Sequence, residues 1–71
     1  METSMPEVHV YLAAGRSVDL KKKLMLALSD AVVSTIGASP QAVTVQIMES
    51  PLTDKMKGGK TFEERAQEQS K

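Results

Sequence analysis

Residues 5–12, Met5-Pro6-Glu7-Val8-His9-Val10-Tyr11-Leu12, place Val8, Val10 and Leu12 on one side of an extended chain and Glu7, His9 and Tyr11 on the other. A period of two marks a half-buried strand, and Gly15 interrupts it. Downstream the period changes. Ser17 suits a helix N-cap, Asp19 the positive end of a helix dipole, and Gly37 a left-handed closing residue, so a helix is predicted from near Val18 to just before Gly37. Within it Leu20, Leu24, Leu28, Ala31, Val32 and Thr35 recur at helical spacing, and Met25 and Ile36 widen the stripe to about half the circumference. Leu26 and Val33 form a second apolar flank, leaving only the arc around Lys23, Asp30 and Ser34 clearly polar.

After the short connection Ala38-Ser39-Pro40, residues Ala42 to Met48 alternate again, with Val43, Val45 and Ile47 opposite Thr44, Gln46 and Met48. Strand, helix, strand in that order predicts an α/β fold: a small β-α-β protomer whose parallel strands are joined by a right-handed crossover. Two strands make no stable sheet alone. A second copy would complete a four-stranded sheet with two helices on one face, and the second helical flank is expected to meet another subunit.

Residues 50–60 are polar and turn-rich, and Gly58-Gly59 suits a tight hairpin at a subunit contact. Residues 61–71 are charged, with Phe62 the notable apolar side chain, and read as either a frayed arm or a short helix docking through Phe62. The expected organisation is therefore a leader over 1–5, a β-α-β domain over 6–60 and a polar tail over 61–71.

A chain of 71 residues is one small domain with a modest core. It has no cysteine, so neither disulfides nor thiolate metal sites can reinforce it, and association between copies is the remaining route. Nine basic and nine acidic residues balance, Lys21, Lys22 and Lys23 read as a solvated helix start, and Tyr11 and Phe62 are the only aromatics. That composition argues against a nucleic-acid partner, which needs a basic face and stacking rings. No apolar run is long enough to span a bilayer and no signal-peptide pattern opens the chain, so no membrane partner and a cytoplasmic location are expected.

Pro6 carries the chemistry. If Met5 is the initiator and is removed, Pro6 has a free secondary amine, both base and nucleophile; if the chain begins at Met1, its nitrogen is a non-basic tertiary amide. His9 is a lone histidine on an alternating strand, a structural residue rather than a ligand, and no metal site is expected.

Pro6, the strand behind it, Gly15-Arg16-Ser17, the helix, the second strand and Gly58-Gly59 fall in one gapless register that resembles the 4-oxalocrotonate tautomerase family from Pro6 to about Gly59. The resemblance implies β-α-β protomers, dimers and then hexamers as trimers of dimers, no cofactor, and an N-terminal proline that moves a proton between carbon and oxygen of an unsaturated 2-keto or 2-hydroxy acid. It assigns Pro6 as general base and Arg16 as binder of the substrate carboxylate or carbonyl. At the second-strand position where these tautomerases carry an arginine stands Thr44, and at the position of their active-site aromatic stands Lys55; both are candidate substitutes. The alternative is a non-catalytic oligomeric scaffold, or an inactive subunit of the same fold, in which Pro6 is blocked.

Overall fold

A computed structural model describes residues 5–69. Met1–Ser4 of the expected leader, and the last two residues of the expected tail, lie outside the described residues. The chain runs through β1 (Glu7–Ala13), α1 (Val18–Ile36), β2 (Thr44–Ser50), the two-residue strands β3 (Met56–Lys57) and β4 (Lys60–Thr61), and α2 (Phe62–Gln69). Two 3-10 turns, Pro40–Ala42 and Leu52–Asp54, flank β2.

β1 and β2 pair in parallel, with Val8 beside Val45, Val10 beside Ile47 and Leu12 beside Glu49 on one face, and His9 beside Gln46 and Tyr11 beside Met48 on the other. The β-α-β unit predicted from the two alternating segments is thus present. α1 covers the valine face, lying chiefly over β2, and the Lys21 ammonium reaches the Glu49 carboxylate at 2.9 Å. Both helix ends are as the sequence predicts. The Ser17 hydroxyl accepts from the Leu20 amide at 3.2 Å, and Gly37, at φ 75°, donates to the Val33 carbonyl.

Two expectations need correction. The second strand begins at Thr44 rather than Ala42, because Pro40 opens a 3-10 turn, closed by the Ala42 amide donating to the Ser39 carbonyl, that holds Ala42 out of the ladder. The helical face toward the sheet is also rotated. Leu24, Met25, Leu28, Ser29, Val32 and Val33 are half-buried, whereas Leu20, Ala31, Thr35 and Ile36 of the predicted stripe remain exposed, and Leu26 of the second flank with them. Lying over β2, α1 shelters a single arc of its wide apolar surface, and the rest of that surface is left bare.

That bareness extends to the whole described chain. Ala38 is the only buried residue, while Tyr11, Val18 and Ile36 are each more than 60% exposed. The radius of gyration is 16.0 Å, against about 11 Å for a compact chain of this length. The accessible surface is 5476 Å², roughly 1,100 Å² more than a compact protein of this mass presents. β3, β4 and α2 pack chiefly on one another and on the Leu52–Asp54 turn.

Candidate active site

Pro6 is half-buried at the entrance to β1, and its carbonyl accepts from the Thr44 amide at 2.9 Å. Proline suits this place because the first residue of a strand need not donate to the ladder. The parallel register, Glu7 beside Thr44, therefore brings Pro6 and Thr44 together at one end of the sheet.

Arg16 stands at the other end. β1 runs out at Ala13, the Ala14 amide still donates to the Ser50 carbonyl, and Gly15 at φ 134° turns the chain toward the Ser17 cap. Arg16 Nη1 donates to the Ala13 carbonyl at 3.1 Å and the residue is otherwise exposed, its remaining N–H groups available to an anion. Seven residue steps separate Pro6 from Ala13, about 23 Å of strand at ~3.3 Å each. Within one chain the two cannot touch a common small molecule.

Lys55 lies beyond the same end as Arg16, at the close of the Leu52–Asp54 turn. The paired glycines form the hairpin expected of them: Gly58 and Gly59, at φ 63° and 84°, give the doubly positive turn that matches strand twist, and Met56 pairs with Thr61 and Lys57 with Lys60. One step back along this ladder Lys55 faces Phe62. The Phe62 amide donates to the Lys55 carbonyl at 2.8 Å, and the Lys55 ammonium sits 5.9 Å from the Phe62 ring centroid. Phe62 is thus brought beside Lys55 by the hairpin. Its place was recoverable from the sequence: a two-residue Gly58-Gly59 turn makes paired positions sum to a constant, and Lys55 falls opposite Phe62.

The segment that follows is braced from within. Thr61 and Glu64 form a reciprocal cap, the Thr61 amide donating to Glu64 Oε1 at 2.8 Å and the Glu64 amide to Thr61 Oγ1 at 3.1 Å. Arg65 donates twice to the Lys57 carbonyl, from Nη2 at 2.8 Å and Nε at 3.3 Å, and Lys60 pairs with Glu68. Of the two readings of the terminal segment, a short helix with a partly covered Phe62 is the one that forms.

His9 points away from α1 and faces Glu7 across an exposed 3.3 Å contact. Among the described residues no group of three or more His, Cys, Asp or Glu side chains is placed to hold a metal ion. No helix there is long and apolar enough to cross a membrane.

A β-α-β unit with a proline at the mouth of its first strand and an arginine at the start of its helix defines a tautomerase-type scaffold. The tautomerase enzyme family matches residues 6–67, so that the match opens on Pro6. A Bradyrhizobium diazoefficiens protein named a probable tautomerase is 48% identical over 62 residues, spanning 87% of this chain and 92% of that protein. Among solved structures, the 4-oxalocrotonate tautomerase isozymes of Methylibium petroleiphilum superpose with a TM-score of 0.82 at 28% identity, over 89% of this chain and 98% of that one. A heterohexameric 4-oxalocrotonate tautomerase of Chloroflexus aurantiacus gives 0.77 at 29% identity, over 82% and 94%. The chain belongs to the 4-oxalocrotonate tautomerase family.

Proposed function

We propose that this protein is a cofactor-independent isomerase in which Pro6, as the mature N-terminus, moves a proton between oxygen and carbon of a small unsaturated 2-hydroxy or 2-keto acid. The observation that carries this is the position of Pro6, directly behind Met5 and at the first residue of the tautomerase match. An α-amino group titrates near pH ~8, and an apolar cleft beside a cation disfavours its ammonium form, so the amine is free to act at neutral pH. It takes the enol proton, and the resulting prolinium returns a proton to the far carbon of the conjugated system; nothing is oxidised or reduced. Arg16 binds the carboxylate or the carbonyl oxygen through paired hydrogen bonds and stabilises charge as it develops there.

Such a site must be shared between copies, because Pro6 and Arg16 stand at opposite ends of β1. The bare apolar surface of the protomer, and the heterohexamer reported for the Chloroflexus relative, support a homo-oligomer, a hexamer built as a trimer of dimers. In this reading residues 6–60 are the working domain, Met5 is the initiator and is removed, and the protein acts in the cytoplasm.

Mass spectrometry of the native protein is expected to find Pro6 at the N-terminus, and Met5-initiated protein is expected to ketonise 2-hydroxydienoates. Pro6→Ala should abolish turnover with the assembly intact. A native chain that retains Met1, or a Pro6-terminal protein without turnover on any enol acid, would refute the reading in favour of a non-catalytic scaffold.

A further inference from the structure

The family register leaves the site without its second arginine, replaced by Thr44, and without its aromatic, replaced by Lys55. The fold supplies both chemistries from a single spot. Lys55 and Phe62 face each other across the base of the Gly58-Gly59 hairpin, joined by a 2.8 Å backbone hydrogen bond, with the ammonium 5.9 Å from the ring centroid. Both side chains are half-buried rather than sealed, so each keeps surface for a ligand. The spot is also braced by hydrogen bonds: Arg65 donates to the Lys57 carbonyl, and the Thr61–Glu64 cap closes the start of α2 beside Phe62.

Lys55 is uncommitted in charge. Lys21 is paired with Glu49 and Lys60 with Glu68, whereas Lys55, like Lys22, Lys23 and Lys57, has no carboxylate partner among the described residues, and of these four it is the one whose ammonium lies against an aromatic ring. A lysine is normally a poor stand-in for arginine, being a mobile point charge without a planar fork. Seated against a ring, it has lost part of that mobility, so less entropy remains to be lost when an anion binds.

We propose that Lys55 and Phe62 act together as a binding element for conjugated carboxylates, the ring forming an apolar wall for the planar chain and the ammonium meeting the carboxylate. This deepens the proposed function and rests on it for placing Lys55 beside Pro6 of another copy. The element selects for a carboxylate and a flat unsaturated chain in one molecule.

The test uses the full chain and two probes of nearly equal shape, sorbate and its neutral amide, titrated while the Phe62 ring and Lys55 ε-methylene resonances are followed by NMR. Sorbate is expected to move both sets of signals and to bind about tenfold more tightly than the amide, the worth of one charge-assisted contact at a wet site. Lys55→Met should remove that preference while leaving amide binding in place, Lys55→Arg should keep it, and Phe62→Leu should weaken both probes together. Sorbate that leaves these resonances unmoved, or a preference that survives Lys55→Met, overturns the proposal. Inactivity of Pro6-terminal protein alongside intact sorbate selectivity would remove the catalytic reading and leave this one standing; turnover without the selectivity would do the reverse.

Discussion

Ala31→Glu is expected to take the assembly apart while leaving the protomer's own helix in place. Ala31 lies mid-way along α1 and is exposed, as are Leu20 and Ala27 earlier on the same side, so a bare apolar strip with two small side chains runs beside the half-buried face. A strip of that kind admits close approach of a second helix. Glutamate costs only a few tenths of a kcal/mol in helix propensity, too little to unwind a 19-residue helix with both ends capped. A carboxylate trapped without a partner in a subunit contact costs at least about 3 kcal/mol. A two-fold contact contains the lesion twice, so about 6 kcal/mol is lost, or roughly four decades in the dissociation constant. Sedimentation velocity from 100 nM upward should show wild type assembled and Ala31→Glu shifted to smaller species, with exposed Asp30→Ala as a control that changes nothing. Sedimentation of Ala31→Glu indistinguishable from wild type across that range would refute the inference that the strip is covered by another copy.

Other outcomes follow from single contacts. Ser17→Ala removes the acceptor for the Leu20 amide and should lower stability by about 1 kcal/mol in urea unfolding. Gly37→Ala meets no atom within 4 Å, so its cost should be the left-handed backbone alone, about 1 kcal/mol. Gly58→Ala should cost more than Gly37→Ala, since its Cβ would also lie 3.1 Å from Arg65 Nη2. Arg65→Ala should speed amide exchange through Lys60 and Thr61 without changing exchange in β1 and β2, because its bonds end on the Lys57 carbonyl.

The β-α-β order was legible because punctuation and periodicity agreed: Gly15 and Ser17 separate a period of two from a period near 3.6, and Gly37 closes the helix where a left-handed residue is needed. The start of β2 was not, because alternation from Ala42 onward is silent about a proline-opened turn that holds the first two residues out of the ladder. Nor was the rotation of α1. Its apolar residues cover too much of the circumference to say which arc meets the sheet, and the excess is itself the signal of further contacts. Pro6 and Arg16 could be named from the register with the family, but not their separation, which follows from the length of β1. Phe62 is legible as the docking side chain of the terminal segment but not as the neighbour of Lys55, because it sits in a charged segment seven positions from the residue it faces, and only the hairpin brings them together.

The 23 Å or so of strand from Pro6 to Ala13, which sets Pro6 apart from Arg16, has a genetic reading. If each site draws these two residues from different chains, a protomer carrying Pro6→Ala and another carrying Arg16→Ala are both dead alone, yet neither defect is confined to its own chain. Assembled together from equal pools, roughly one site in four escapes both lesions, because its proline and its arginine are drawn independently. Two null alleles would then complement each other inside one particle, and the heritable unit of activity would be the junction between chains.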